Sequence, residues 1–266
     1  GKTTLIGGGN DIWGTADNFH YAFFKVTGDF DYIVKVEDLQ GPDNWTKAEL
    51  MARLPDGDVP QGGDPHISNM TTRSGGQNEL RPQWRVDRDG ASDNWAISPA
   101  VRPAYPNTWL RLERMGSVFY QYYSTDGTSW KEYTVASGAV VNLDTAGSKP
   151  AGGDNGKSFS QAWPNTILLG LAVTAHNDSD ATGGKAIFSG FAPHVTVPIA
   201  ITTQPQATVS LSENKALTLS VAATGDPVHY QWRKNGTAIA GATSASYAIA
   251  FAKGSDSGTY TVRLNG

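Results

Sequence analysis

Residues 109–130, WLRLERMGSVFYQYYSTDGTSW, are the stretch of sequence that decides the fold. Apolar and polar residues alternate along it, so that Leu110 falls on one face of a strand and Arg111 on the other. An Asp126-Gly127 pair separates alternating segments, and this arrangement is typical of a tight β-hairpin turn. The pattern therefore predicts paired strands with one face in a core and a second face that is available for other contacts.

The second face of this predicted hairpin carries candidate ligand-binding side chains. Tyr120 and Tyr122 alternate with Phe119 and Tyr123, in the same way that Arg111 alternates with its leucine neighbours. We expect the phenylalanine and Tyr123 to lie in the core, and Arg111, Tyr120 and Tyr122 to lie on the opposite face.

The rest of the chain predicts an all-β protein of two domains. Helical periodicity is almost absent from the 266 residues, and strand-like runs recur between clusters rich in the 30 glycines and 14 prolines. The apolar content of 39% is sufficient for a core. Three prolines in the stretch 193–206 indicate a stiff linker. We therefore place a first domain at 1–197 and a second at 198–266.

Charge and composition exclude several classes of protein. The net charge of -4 argues against a nucleic-acid groove, which needs clustered basic residues. No run of about 18 apolar residues exists, so no membrane span is expected. The absence of cysteine removes disulfides, thiolate metal sites and cysteine nucleophiles, but it remains compatible with a secreted bacterial protein that has a large core.

The first domain resembles a known jelly-roll family through a series of motifs. They are GGGNDIWGTADNFHYAFFKVTGDFDYIVKV at 7–36, WTKAELMAR at 45–53, PQWR at 82–85, the hairpin stretch quoted above, and ILLGLAVTAHNDSDATGGKAIFSGF at 167–191. Together they resemble a concanavalin A-like (laminin-G-like) jelly-roll domain of the regulation-of-enolase type. The resemblance implies an extracellular domain of the kind that accompanies carbohydrate-active or cell-surface modules.

The second domain resembles a bacterial immunoglobulin-like domain of the intermediate set (I-set). The motifs that carry the resemblance are LTLSVAATG at 217–225, YQWRKNG at 230–236 and DSGTYTV at 256–262. Trp232 then matches the buried core tryptophan of that family, and Tyr260 matches its tyrosine corner. The resemblance implies a spacer or adhesive domain.

The match to that family ends after its sixth strand, F, so the last strand of the family is missing from the sequence. Two explanations stay open at this point. Either the fragment was cut there, or a neighbouring domain or chain supplies the strand through the open edge.

No catalytic constellation is recognisable, so we expect a protein that is not an enzyme. The Glu-x-Asp-x-x-Glu pattern of retaining glucanases is absent. A polysaccharide lyase needs Arg, Gln, His and Tyr on one concave sheet. His66, Gln83, Arg85 and Tyr122 are residues of these types, but they lack the spacing of that family.

Carbohydrate binding is the function that the residue types favour. Three tryptophans lie in polar loops, in GPDNWT, ASDNWA and SQAWPN, and exposed aromatic rings are common in sugar sites. Three arginines on different predicted strands share a phase and could converge on an acidic polysaccharide. The alternatives are that the tryptophans plug the sandwich and that the arginines pair with acidic side chains of this chain. The candidate ligand-binding residues are Trp45, Arg53, His66, Gln83, Arg85, Trp95, Arg111, Tyr120, Tyr122 and Trp163.

A structural calcium ion is a further expectation. Asp11, Asp17 and Asp178 lie in turn-like segments, and jelly rolls often hold calcium with carboxylate and carbonyl oxygens. Ordinary turn chemistry, in which an aspartate caps its own backbone, is the alternative.

These observations give one leading function and two alternatives. The first is a non-catalytic, secreted or cell-surface module that binds a polysaccharide or a surface glycan and carries an immunoglobulin-like spacer. The second is a structural or adhesive segment of a surface or filament protein that acts by protein–protein contact. The weaker third is a polysaccharide-degrading enzyme.

Overall fold

The computed structural model describes most of the chain and divides it into two compact units. The described residues are 1–73, 78–95, 100–134, 142–145, 162–179, 182–194, 198–225, 228–239 and 241–264, with the backbone alone at residues 142 and 144. The units are Gly1–His194 and Val195–Gly266. The boundary that we expected after residue 197 borders residues 195–197, which lie outside the described part.

The first unit is built from strands that pair antiparallel in two sheets. One sheet has the order β1-β13-β3-β8-β9-β10, with β11 also on β9, and the other has the order β2-β12-β4-β5-β6-β7. The predicted all-β sandwich is confirmed. The strands are β1 Lys2–Gly7, β2 His20–Thr27, β3 Phe30–Gln40, β4 Lys47–Arg53, β5 His66–Thr72, β6 Leu80–Arg85, β7 Asp93–Asn94, β8 Thr108–Met115, β9 Val118–Ser124, β10 Lys131–Glu132, β11 Asn142–Asp144, β12 Thr166–Thr174 and β13 Gly184–Pro193.

The β8–β9 hairpin forms as its alternation predicts. Leu110 pairs with Tyr123 on the core side, whereas Arg111 pairs with Tyr122 on the other side. Gly116 makes the connecting turn with a φ of 60°, a conformation that glycine adopts without steric cost. The hairpin is therefore fixed both by its turn and by the burial of one face.

The turn after β9 is held by one carboxylate. Asp126 Oδ1 accepts the backbone N–H groups of Thr128 at 2.8 Å and Ser129 at 2.7 Å. Gly127 adopts a φ of 77° here, and an added Cβ would lie 2.7 Å from the ring of Trp109. The predicted Asp-Gly turn is therefore confirmed, and its glycine is needed for both conformation and space.

The hydrophobic core lies between the two sheets. Leu50, Ile67 and Trp84 from the six-stranded sheet and Leu110 and Phe188 from the seven-stranded sheet are completely buried. Each side chain of this size contributes about 1.5–3 kcal/mol on full burial.

The six-stranded sheet departs from a simple inside–outside alternation. Every residue of β4 and β5 is buried, including the polar side chains of Glu49, Arg53 and His66 on the face that points away from the core. A sheet face is buried only where another part of the chain covers it. This outer face of β4, β5 and β6 is the part of the fold that positions the candidate site.

The second unit is a smaller set of antiparallel strands. Its core consists of Leu219, Val221, Trp232 and Ala242. The Tyr260 hydroxyl donates to the carbonyl of residue 256 at 2.7 Å, which is the contact that a tyrosine corner predicts. The strands pair as β14-β16, β15-β19 and β18-β17-β20. They are β14 Ala200–Thr203, β15 Leu217–Ser220, β16 Ala222–Thr224, β17 Tyr230–Lys234, β18 Thr237–Ala238, β19 Ser246–Ile249 and β20 Tyr260–Leu264.

Helical structure is confined to one 3₁₀ turn, Gly254–Asp256, among the described residues. That part of the chain accordingly contains no helix with the length and apolar character that a membrane crossing requires.

Candidate functional site

Residues 8–19, here called the covering segment, form a closed loop between β1 and β2. Asn18 N–H donates to the Asp11 carbonyl at 2.8 Å, and this bond closes the loop. Gly9 adopts a φ of 105°, and a Cβ there would lie 1.9 Å from the Asn18 carbonyl oxygen. The glycine in the GGGND motif is therefore required by the close approach of two backbone segments.

The covering segment lies across the outer face of the six-stranded sheet. Ile12 is completely buried and packs against Met51 in a small apolar cluster. Its carbonyl accepts hydrogen bonds from Gln83 Nε2 at 2.7 Å and from Lys47 Nζ at 3.0 Å. Lys47 also pairs with Asp11 at 2.6 Å. The centre of the sheet face is thus closed by the chain itself.

Asp17 anchors the end of the covering segment to two buried arginines. Its carboxylate receives two parallel hydrogen bonds from Arg85, at 2.6 and 2.7 Å, and pairs with Arg53 Nη1 at 2.7 Å. Burial would raise the pKa of Asp17, but the neighbouring His66, Arg85 and Arg53 outweigh burial and lower it. The negative charge of Asp17 is therefore balanced by the two buried arginines of the sheet.

A second cover comes from residues 54–65, here called the β4–β5 loop. The Gly62 carbonyl accepts a hydrogen bond from Asp17 N–H at 2.9 Å and another from Arg53 Nη2 at 2.9 Å. Arg53 Nη2 also donates to the Gln61 carbonyl at 2.5 Å. Lys25 on β2 pairs with Asp58 in the loop at 2.5 Å. The bonds to Asp17 and Arg53 and the ion pair with Lys25 together hold the loop in place.

Two titratable side chains beneath the covering segment lack normal hydrogen-bond partners. Neither carboxylate oxygen of Glu49 and neither ring nitrogen of His66 makes a well-formed hydrogen bond. Burial raises the pKa of Glu49 to about 7, although Lys47 and Ser68 act in the opposite direction. Burial lowers the pKa of His66 to about 3, against the effect of Asp17. Burial therefore favours the neutral form of both groups.

An aromatic pocket lies at the edge of the covered face. Phe19, Tyr21 and Phe23 occupy alternate positions and point to the same side of the sheet, with ring centroids 5.8 and 5.0 Å apart. They border a cavity of about 280 Å³, which is close to the lower end of the range for small-molecule sites. The aromatic pocket is lined by Asp17, Asn18, Phe19, Tyr21, Phe23, Pro60, Gln61 and Gly62.

The rings of the aromatic pocket are held in place from below. The Tyr21 hydroxyl donates to the Met51 carbonyl at 3.0 Å, and the Arg53 guanidinium lies 5.1 Å from the centre of the Phe19 ring. Phe23 remains 41% exposed. The pocket therefore offers a fixed aromatic surface that is open to solvent.

Four of the predicted ligand-binding residues come together on the covered face. Arg53, His66 and Arg85 form one row across β4, β5 and β6, and Gln83 lies in the next row. All four are completely buried under the covering segment and the β4–β5 loop. A role in ligand contact stays a prediction for them.

Arg111 lies on the other sheet, so the three arginines do not converge on one face, and each of them pairs with an aspartate of this chain, which is the alternative given above. The phases of the strands were predicted correctly, but β8 belongs to the seven-stranded sheet whereas β4 and β6 belong to the six-stranded one. Arg111 forms two hydrogen bonds with Asp31, at 2.8 and 2.7 Å, and lies 4.7 Å from the centre of the Tyr122 ring. Tyr120 is on the same face, opposite Glu113.

The three loop tryptophans do not line the aromatic pocket. Trp163 is buried against Phe119 with a centroid distance of 5.2 Å, and Trp95 packs on the buried Trp84 at 6.3 Å. Trp45 is half-buried with the guanidinium of Arg81 5.3 Å from its ring centre. Trp95 and Trp163 thus pack against the core, as plugs of the sandwich would.

The three aspartates of the expected calcium site have other partners. Asp11 pairs with Lys47 and Asp17 with two arginines, whereas Asp178 Oδ1 lies 3.5 Å from the side-chain amide of Asn18. Within the ranges that the structure describes, no group of three or more His, Cys, Asp or Glu side chains is arranged to hold a metal ion. Calcium binding stays a prediction without a matching ligand set.

Comparison with known sequences finds a partial match. No protein-family model matches the chain. A decoration protein of Escherichia phage T5 is 40% identical over 69 residues, which are 25% of this chain and 42% of that protein. The chain therefore spans less than half the length of this curated relative.

Solved structures resemble the chain at low sequence identity. A protein of unknown function from Saccharomyces cerevisiae is 17% identical, covers 73% of this chain and 88% of its own, and has a TM-score of 0.50. A family 7 alginate lyase, A1-II′, is 13% identical over 73% of this chain and 80% of its own, with a TM-score of 0.39. The two antiparallel sheets make the first unit an all-β sandwich, and the likeness to the yeast protein concerns the fold alone.

The residues that sequence reasoning missed are those of the aromatic pocket. The motif at 7–36 predicts mainly structural roles for Phe19 and Tyr21, and it indicates no separate role for Phe23. The available signal was the alternation of three aromatic residues in FHYAF at 19–23, which places them on one face of a strand. Their exposure depends on β2 being an edge strand, which only the sheet order shows.

Proposed function

We propose that the first unit is a non-catalytic carbohydrate-binding module and that its saccharide binds in the aromatic pocket. The observation that carries the proposal is the row of three aromatic rings beside an open cavity, with planar amide groups at its rim. Sugar rings have an apolar face that packs on aromatic rings and a polar rim that takes part in hydrogen bonds.

The polar rim of the pocket is formed by two exposed amides. Asn18 lies on the covering segment and Gln61 on the β4–β5 loop, and both line the pocket. An amide both donates and accepts hydrogen bonds, so it suits a sugar hydroxyl, which does the same. Because both elements are tied to Arg53 or Asp17, the amides are presented on fixed backbone.

The charge of the pocket favours a neutral saccharide. Asp17 is the acidic residue of the pocket lining, and it is already neutralised by Arg53 and Arg85. The two arginines are completely buried, so a sulfate or carboxylate in the pocket would find no exposed cation within the lining. We therefore propose an uncharged glycan, in place of the acidic polysaccharide that the arginines suggested in the sequence.

The absence of catalysis is part of the same proposal. Asp17, which lines the pocket, has a fully buried side chain that is paired with Arg53 and Arg85. His66 and Glu49 beneath the covering segment are completely buried as well. A general base must reach the proton that it removes. Secretion or display at a cell surface, where glycans are found, is the location that this function implies.

Substitution of Phe23 by alanine is expected to weaken saccharide binding at least tenfold. The ring supplies exposed contact area, and loss of one stacking partner costs about 0.5–1.5 kcal/mol in addition to the lost burial of that area. Affinity electrophoresis and titration calorimetry of the full chain against a panel of neutral and acidic oligosaccharides measure the effect.

The neighbouring Phe24 provides a matched control. It is 38% exposed on the same strand but points to the opposite face, where it packs near Tyr32 and Phe191. Phe24→Ala should leave affinity unchanged. If Phe23→Ala binds as well as the original chain, or if no glycan of the panel binds, the proposal fails.

A structural role on a virus particle is a second candidate. It is supported by the identity of 40% over 69 residues to the phage T5 decoration protein, since this level of identity exceeds that of the solved structures. Sedimentation of the chain with purified capsids that lack their decoration protein tests this candidate. Co-sedimentation without glycan binding would favour it.

A further inference from the structure

Strand β2 forms an exposed edge of the six-stranded sheet. It pairs with β12 on one side, and in the described part of the chain residues 20–27 make no backbone hydrogen bond on the other side. Six of the eight residues of β2 are exposed. The N–H and C=O groups along this edge are therefore accessible to another strand.

The edge of β2 lacks the features that usually prevent edge strands from associating. Such features are proline, a bulge, short length or a free lysine. The segment HYAFFKVT contains no proline, and its register with β12 runs without a shift. Its one lysine, Lys25, is held by Asp58 at 2.5 Å. Phe23 and Phe24 are instead 41% and 38% exposed, so the edge favours pairing.

The sequence of β2 complements itself when two copies run antiparallel about Phe23. Tyr21 then lies opposite Lys25 of the partner subunit, and Ala22 lies opposite Phe24 of the partner subunit. Opposite residues of antiparallel strands share one face of the sheet. The tyrosine ring can therefore accept the lysine ammonium group on its face, and the small alanine leaves room for the phenylalanine.

We propose that two copies of the chain associate by antiparallel pairing of their β2 strands, with the two-fold axis at Phe23. The interface is isologous, because the same strand contributes from both copies. Residues 20–26 of each copy pair over about 23 Å. Two sheets of six strands thereby join into one continuous sheet.

This dimer brings the two aromatic pockets side by side. Tyr21 and Phe23 point to the same face of the sheet as Phe19, and the two-fold axis keeps that face common to both copies. The rings of both copies therefore continue in one row, along which a single saccharide chain could contact both pockets. This consequence rests on the proposed function, whereas the dimer itself does not.

Sedimentation equilibrium and hydrogen exchange of the full chain without saccharide test the dimer. The expected mass is twice the chain mass of 28.3 kDa. Exchange of the amides at 20–26 that face the free edge should slow at least tenfold as the concentration rises and the dimer forms. A monomer at every concentration up to the solubility limit, or a dimer without this protection, overturns the proposal. Because no saccharide is present, the result does not depend on the proposed function.

A pair of charge variants tests the register. Phe23→Lys and Phe23→Glu each place like charges directly opposite at the two-fold axis, so each variant alone should be monomeric. An equal mixture of the two should recover the dimer, because opposite charges then face each other. Phe251→Lys also replaces an exposed phenylalanine, but in the second unit, and should leave the dimer intact. A mixture that stays monomeric, or loss of the dimer in Phe251→Lys, contradicts pairing at Phe23.

Discussion

Arg85→Met is expected to destabilise the first unit by about 4 kcal/mol, because it leaves one buried anion half-compensated. Arg85 makes two hydrogen bonds to Asp17 and further ones to the carbonyls of Gly14, Gly62 and Gly90. Methionine has a similar length and no donor, so the carbonyls lose their partners inside the protein. Urea denaturation of the full chain at neutral pH measures the change.

Arg102→Met is the matched control for this prediction. Its side chain is 53% exposed and lies 3.7 Å from Glu79, so the pair is screened by water. An exposed pair of this kind contributes about 0–1 kcal/mol. If the two substitutions cost the same, the covering segment is not anchored by Arg85 and the closed sheet face is wrong.

Glu49→Gln is expected to change how stability depends on pH. Burial raises the pKa of Glu49 from 4.5 to about 7, so Glu49 contributes stability below pH 4.5 and loses it as the pH rises to 7. His66 has the opposite effect, because its pKa is lowered from 6.5 to about 3 and its contribution is lost as the pH falls. The two slopes oppose each other between pH 4.5 and 6.5.

When Glu49 no longer titrates, the pH dependence of the free energy of unfolding should show the contribution of His66. The free energy of unfolding of Glu49→Gln, relative to the original chain, should increase by about 3 kcal/mol from pH 4.5 to pH 7. Urea denaturation at several pH values provides this difference. A constant difference across the range would show that Glu49 is solvated and that the face is not closed.

Glu37→Gln is the control for the pH series. Hydrogen bonding from Ser189 lowers the pKa of Glu37, so this carboxylate contributes stability at higher pH and loses it as the pH falls. The sign of its pH dependence should accordingly be opposite to that of Glu49→Gln.

The alternation of apolar and polar residues was sufficient to predict most of the strands of the first unit. It predicts strands at 118–124 and 166–175, and these match β9 and, within one residue, β12. Strand β1 was not predicted, because a threonine-rich edge segment gains its structure from pairing with β13. The sequence also predicts a strand at 129–135; the structure has the shorter β10 at Lys131–Glu132, and residue 135 lies outside the described part.

The sheet order limited what the sequence could say about the site. Alternation correctly placed Arg53, Gln83 and Arg85 on the same side of their strands, but it could not tell which strands are neighbours. Contacts such as that of Asp17 with Arg85 join residues far apart in the sequence, and they depend on the path of the covering segment. The sequence pattern alone could therefore not predict that the covering segment closes this sheet face.

The central claim is that a saccharide occupies the aromatic pocket while the covering segment stays in place over the sheet. A crystal structure of the full chain with the tightest-binding oligosaccharide of the panel tests it most directly. The account predicts a sugar ring against Tyr21 and Phe23, with hydroxyls at Asn18 and Gln61 and the Asp17–Arg85 pair intact. A sugar bound on Arg53 and Arg85 beneath a displaced covering segment would contradict it.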